Sequence, residues 1–202
     1  MWYIPRSLFM SISVSEHKNI YLVGLMGVGK STVGKKLASR LGVSFVDCDQ
    51  ELERRTGVTV STIFDIEGES GFRKRESCLL EELSEQNVGI IATGGGVVTQ
   101  EPNCRLLKKK GGVIYLNATV DLLWSRLRYC KNRPLLETEN PREVLQALHR
   151  KRDPLYREVA TVVVDVGKGS ALNSVRKIER AMNDRNMHIA RDEGTDVVQS
   201  NS

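Results

Sequence analysis

The stretch "GLMGVGKST", Gly24 to Thr32, fits the pattern G-x-x-x-x-G-K-[ST] and stands between an apolar run and an amphipathic one. Successive backbone N–H groups wrap a phosphate only where side chains stay clear, which explains Gly24, Gly27 and Gly29. The helix that follows adds positive potential at its N-terminus. In this setting Lys30 reaches the β- and γ-phosphates and Ser31 offers its hydroxyl to Mg²⁺. Gly27, Val28, Gly29, Lys30, Ser31 and Thr32 are the predicted nucleotide contacts, and the chain is read as binding a nucleoside triphosphate. The loop does not say where the γ-phosphate goes, since switches, motors and small-molecule kinases share it.

Outward from the loop, short β-branched runs alternate with longer helical patterns, the signature of a parallel sheet covered by helices. Strands are predicted at Ile20–Gly24, Phe45–Cys48, Val88–Thr93, Val113–Leu116 and Thr161–Asp165. A helix from about Lys30 to Leu41 carries Val33, Leu37, Ala38 and Leu41 on one face. "ATVDLLWSRL" reads as a helix capped by Thr119. "ENPREVLQALHRKR" reads as another, with Asn140 as N-cap and Pro141 at the first helical position. Pro154 is expected to end or kink it near Arg152. A single domain spans residues 19–185, between a loose extension at 1–18 and a flexible tail at 186–202.

The chain has 202 residues, 40% hydrophobic and 27% charged, within the range of an ordinary globular domain. Its formal charge of +5 favours anionic partners without choosing among them. Cys48, Cys78, Cys104 and Cys130 form no C-x-x-C pair, which argues against a disulfide framework or a zinc site and for a reducing cytoplasm. No apolar run is long enough to span a membrane. "MWYIPRSLFMSISV" lacks the basic start and small-residue cleavage site of a secretory signal, and Met10 is a second candidate start.

"FVDCDQ", Phe45 to Gln50, raises the question of the second substrate. Read as a strand, it ends with Asp47 and Asp49 projecting to one side. In a parallel sheet, ligands sit outside the carboxyl ends of the strands, so these acids, the glycine loop and "ATGGG", Ala92 to Gly96, converge on one crevice. A carboxylate there binds Mg²⁺ or takes a proton from an attacking hydroxyl. Gly94, Gly95 and Gly96 are read as letting a ligand approach bare backbone.

The ordered set GLMGVGKST, D-x-D with "ELERRTG", "IFDIEGESGFRKRE", "ATGGG", "RPLL" and "RDPLY" resembles shikimate kinase from about Asn19 to about Arg180. That resemblance implies a three-layer kinase fold like that of the nucleoside monophosphate kinases. It has a five-stranded parallel sheet, a helical substrate-binding subdomain (about 49–87) and a mobile lid (about 129–139). It implies transfer of phosphate from ATP to the 3-hydroxyl of shikimate, with Mg²⁺, in aromatic amino-acid and chorismate biosynthesis. Asp49 then holds the shikimate hydroxyls and takes the proton, and Asp47 supports Mg²⁺ through water alongside Ser31. Arg73 and Arg152 grip the shikimate carboxylate, a role that suits two planar guanidinium forks. Glu76, three residues beyond Arg73, is placed to hold it. Gly94, Gly95 and Gly96 contact the substrate through backbone. Arg133 closes over the nucleotide and stabilises the transferring phosphoryl group, making it catalytic with Lys30 and Asp49.

Taken singly, each arginine is a surface cation, and Lys74 and Arg75 remain so; only the joint pattern reverses that reading. A kinase for another small hydroxy acid, such as gluconate, would also suit two arginines facing a carboxylate. A nucleotide-dependent regulator or nucleic-acid switch would need a basic stripe with interleaved aromatics, and aromatics are 5% of the chain. The expectation is therefore a monomeric enzyme whose partners are shikimate and ATP, with no nucleic-acid or membrane partner.

Overall fold

A computed structural model of the chain describes residues 15–128, 138–185 and 187–189, with side chains described over 18–128 and 138–185. In chain order the elements are β1 (Ser15–His17), β2 (Asn19–Val23), α1 (Lys30–Leu41), β3 (Phe45–Asp47) and α2 (Cys48–Thr56). Then come α3 (Val60–Glu85), β4 (Gly89–Ala92), a 3-10 turn (Val97–Thr99), α4 (Glu101–Lys110) and β5 (Val113–Asn117). α5 (Val120–Leu127), α6 (Pro141–Val159), β6 (Val162–Asp165), α7 (Ala171–Asp184) and β7 (Met187–Ile189) complete them.

β2 is buried at every position, as "NIYLV" must be at the centre of a parallel sheet with both faces covered. Five parallel strands form that sheet in the order β3-β4-β2-β5-β6. α1 and α7 pack together, α1 against β4 and α7 against β6, while α4 packs on α3 and on α6, and α6 on β5. The architecture is the expected three-layer α/β fold. Leu22 pairs with both Ala92 and Ile114, and Asp47 with Ala92, so the carboxyl ends of β2, β3 and β4 stand level. The chain leaves β2 for one edge through β3 and returns to its other side through β5. The crevice above β2 is therefore the topological switch point where ligands bind.

Three local expectations change. The second strand stops at Asp47 rather than Cys48, because the Asp47 carboxylate caps α2: its Oδ1 accepts from the backbone N–H of Asp49 at 3.1 Å and of Gln50 at 3.2 Å. Asp47 and Asp49 thus do not alternate along a strand; one precedes a helix and the other sits in its first turn. Pro154 does not break α6, which runs on to Val159. Leu145, Arg152, Tyr156 and Val159 form a buried stripe at helical spacing, and that packing outweighs the loss of one backbone donor. Ser15–His17 and Met187–Ile189, assigned from sequence to a loose extension and tail, pair as a separate two-stranded parallel ribbon with Glu16 opposite His188. Thr119 caps α5 as expected, accepting from Leu122 N–H, whereas Asn140 occupies the cap of α6 without a side-chain hydrogen bond.

Asn19 uses its whole amide to tie α3 to the sheet. Its Nδ2 donates to the carbonyls of Leu83 (3.1 Å) and Gln86 (2.8 Å), and its Oδ1 accepts from the N–H groups of Val88 (2.8 Å) and Gly89 (3.0 Å). Asn19→Ala should cost about 3 kcal/mol, because buried donors and acceptors are orphaned together. The check is the urea midpoint at unchanged slope; a loss below about 1 kcal/mol would mean that water replaces the amide.

Candidate active site

The glycine loop follows β2 directly, and Gly24 has a positive φ of 141° with its Cα close against the Leu116 carbonyl, where a side chain would collide with backbone. Lys30 folds over the loop, its Nζ donating to the carbonyls of Gly24 (2.6 Å) and Leu25 (3.2 Å). From α5, the Arg126 guanidinium donates to the carbonyls of Val28 (2.9 Å) and Gly27 (3.3 Å), and to that of Gly167 (3.3 Å). Gly27, Val28, Gly29 and Thr32 line one side of a pocket whose other side is Arg126, Val166, Ala171 and Ser174. Ser31 follows Lys30 in the first turn of α1.

The second cleft opens beside it. Met26 of the loop, Asp49, Val60, Phe64, Phe72, Arg73, Arg152 and the three glycines at 94–96 line it together. They come from five parts of the fold: the phosphate loop, the start of α2, α3, the loop after β4 and α6. Asp49 is delivered by the capped start of α2. Arg55 holds that helix against α3, bonding Glu51 within α2 at 2.6 Å and Glu82 of α3 at 2.6 Å. α3 kinks at Gly68 (φ 67°, ψ 179°), which lets Phe64 before the kink meet Phe72 after it, ring centroids 4.7 Å apart.

Arg73 is only 6% exposed and is held on two sides. Its Nη1 donates to Glu76 Oε2 at 2.7 Å, and its Nε and Nη2 donate to Glu69 Oε1 at 3.3 and 3.0 Å. Burial alone would lower the guanidinium pKa, but Glu76 and Glu69 outweigh it, so Arg73 is fixed as a cation. Burial pushes the Glu76 carboxyl above its ordinary value; Arg73 pulls the other way, and Asp49 adds to the rise.

The triglycine has a packing reason in addition to the one read in the sequence. A Cβ at Gly94 would overlap the Glu76 carboxylate, and one at Gly96 would overlap the Arg73 guanidinium. None of the three needs a positive φ. Charged side chains are packed against the loop at Gly94 and Gly96, and Gly95 lies against the backbone of Met26. Gly95 O accepts from Arg152 Nη1 at 3.0 Å and from the Tyr156 hydroxyl.

Asp49, Arg73, Arg152, Gly94, Gly95 and Gly96, chosen from sequence, thus share one cleft. Asp47 is not among the residues that line it, and its Oδ1 is committed to the α2 cap. Arg133 and positions 129–137 of the expected lid lie outside the described residues. Lys74 and Arg75 are exposed, Arg75 pairing with Glu67. Arg126, Met26, Phe64, Phe72 and Tyr156 also belong to these two sites and were not among the residues expected there. Met26, Phe64, Phe72 and Tyr156 lie within motifs quoted above, but their roles were not assigned, because the groups they meet in the cleft come from other elements.

A family model described as shikimate kinase matches residues 26–183. The chain belongs to the shikimate kinase family. The shikimate kinase of Aromatoleum aromaticum is 53% identical over 169 residues, covering 84% of this chain and 95% of that protein. That of Dechloromonas aromatica is 50% identical over 171 residues, covering 85% and 93%. Among solved structures, a shikimate kinase from Acinetobacter baumannii in complex with shikimate superposes with a TM-score of 0.81 at 47% identity, covering 85% of this chain and 96% of that one. A gluconokinase from Sinorhizobium meliloti, at 18% identity and a TM-score of 0.54, shares the fold alone. Shikimate kinases are ATP-dependent, which agrees with a phosphate loop placed beside an acceptor cleft.

Proposed function

We propose that the paired clefts catalyse transfer of the γ-phosphoryl group of ATP to the 3-hydroxyl of shikimate, giving shikimate 3-phosphate and ADP. The observation that carries this reading is the lining of the second cleft. Two buried guanidinium groups, one carboxylate and a bare triglycine face the same space as Met26 of the phosphate loop. Arg73 and Arg152 take the substrate carboxylate, a planar anion suited to planar donors. Phe64, Phe72 and Val60 supply the apolar wall for the ring.

Asp49 orients the 3-hydroxyl and accepts its proton as the oxygen attacks the γ-phosphorus. The bond from that phosphorus to the bridging oxygen breaks, and the electron pair leaves with ADP. Lys30 exchanges the Gly24 and Leu25 carbonyls for the phosphates, and the pocket beside Arg126 receives the base. Arg133 is carried in this reading on sequence alone.

Mg²⁺ fits the residues present. Among the described residues no cluster of three metal-ligating side chains occurs, and Asp47 keeps Oδ2 outside its capping bonds. That suits an ion held mainly by phosphates and water. Ser31 and Asp47 would hold it, and it would neutralise charge on the phosphates. No described helix is long and apolar enough to cross a membrane.

The test is ATP consumption with shikimate and with gluconate, and phosphorus NMR to locate the product. Turnover dependent on shikimate, with phosphate on the 3-oxygen, is expected. Preferential turnover of gluconate, or ATP consumption indifferent to either, would refute the assignment.

A further inference from the structure

We propose that Tyr156 is a positioning residue for the acceptor site, acting through the Gly95 carbonyl; the proposal rests on the reading of the second cleft as the shikimate site. Tyr156 is fully buried on α6 and does not line the cleft, yet its hydroxyl donates to Gly95 O. The other donor to that oxygen is Nη1 of Arg152. Among the described residues Arg152 makes no ion pair, and its Nε is buried without a hydrogen-bond partner. Its directional restraints are therefore the bond to Gly95 O and a side-chain contact with the Tyr156 hydroxyl, which holds the same carbonyl from one turn further along the helix.

Two consequences follow from this shared acceptor. The peptide unit is planar and trans, so fixing the Gly95 carbonyl also fixes the direction of the Gly96 N–H. The loop also spends its acceptors internally. Gly94 O accepts from Val97 N–H (3.3 Å), and Gly96 O accepts from the N–H (2.9 Å) and hydroxyl (2.7 Å) of Thr99. With Gly95 O taken by Tyr156 and Arg152, the carbonyls of Gly95 and Gly96 each accept two bonds, which leaves fewer free lone pairs to oppose an anionic ligand at the loop's N–H donors. Removing the hydroxyl frees a lone pair and loosens the peptide plane that Arg152 leans on.

The ring itself is secured separately. It stacks on Tyr115 with centroids 4.9 Å apart, and the Tyr115 hydroxyl bonds Asp153 Oδ1 at 2.8 Å. Tyr156→Phe keeps that stack and should fold. Tyr115→Phe removes a buried hydroxyl that does not reach Gly95 and serves as the structural control.

The experiment measures steady-state kinetics of wild type, Tyr156→Phe and Tyr115→Phe, together with thermal melts and amide spectra of Gly95 and Gly96. Tyr156→Phe should raise the KM for shikimate about tenfold, the worth of one buried hydrogen bond, with kcat and the KM for ATP within about twofold. Tyr115→Phe should lower Tm and leave the shikimate KM unchanged. An unchanged shikimate KM in Tyr156→Phe, or kcat and both KM values moving together, would overturn the proposal. If wild type fails to consume shikimate, the substrate reading falls, but the amide spectra still decide the positioning role. A Gly96 amide shift in Tyr156→Phe and not in Tyr115→Phe supports it, and equal spectra refute it.

Discussion

Asp49→Asn should remove most phosphoryl transfer, lowering kcat by about 10²–10⁴, the usual worth of a positioned proton acceptor. The substitution keeps the shape and one acceptor oxygen, so the hydroxyl can still be held but not deprotonated. The start of α2 should survive, because Asp47 caps the backbone N–H of residue 49 and not its side chain. Nucleotide binding should also survive, since the phosphate loop and the Arg126 pocket do not include Asp49. Rapid-quench kinetics with titration calorimetry for ATP separates these effects. A variant retaining more than about a tenth of wild-type kcat would show that Asp49 orients the acceptor without taking its proton.

Glu76→Ala should destabilise the protein by about 3–5 kcal/mol, the cost of stripping one partner from a buried charge. The low end is expected because Glu69, half exposed, still bonds Arg73 at 3.0 Å. The same change should weaken shikimate binding more than ATP binding, since Arg73 loses its inner anchor and Gly94 the carboxylate packed on it. Glu76→Gln, which can still accept from Arg73, should recover part of both losses. The pH dependence has a definite sign. Burial raises the folded-state pKa of Glu76, so the native state binds its proton more tightly than the unfolded chain. Wild-type stability should therefore fall as pH rises from the ordinary carboxylate range through that elevated value, and Glu76→Gln should flatten that part of the profile. Denaturant midpoints measured across pH test it. Equal slopes in the two proteins would place Glu76 in an ordinary, solvated environment.

The parts of the site legible in sequence were those whose chemistry is local. The spacing of Gly24, Gly27, Gly29 and Lys30 specifies the phosphate loop, because the backbone of consecutive residues forms the cradle. The apolar runs at β2, β4 and β5 specify a doubly covered sheet, because buried parallel strands carry no polar face. Asp47 and Asp49 were found but misplaced. An aspartate at a strand end is also a strong helix cap, and period-two alternation ends where the helix starts. The triglycine was found for an incomplete reason, since the groups that demand its missing side chains, Glu76 and Arg73, sit on a distant helix. Pro154 misled because the stripe Leu145, Arg152, Tyr156 and Val159 overrides the lost donor only once α6 is packed. Arg126 and Tyr156 stood inside quoted stretches without a role, as their acceptors Val28 and Gly95 come from elsewhere in the chain. The β1–β7 ribbon is built from "SEH" and "MHI", three residues each, too short for a pattern to register.

The most direct measurement is a crystal structure with shikimate and a non-hydrolysable ATP analogue bound together. The shikimate carboxylate should lie between Arg73 and Arg152, with its 3-hydroxyl on Asp49 and the γ-phosphate facing that hydroxyl from the Lys30 side. Shikimate seated away from the two arginines, or with its 3-hydroxyl turned from Asp49 in the ternary complex, would contradict this placement.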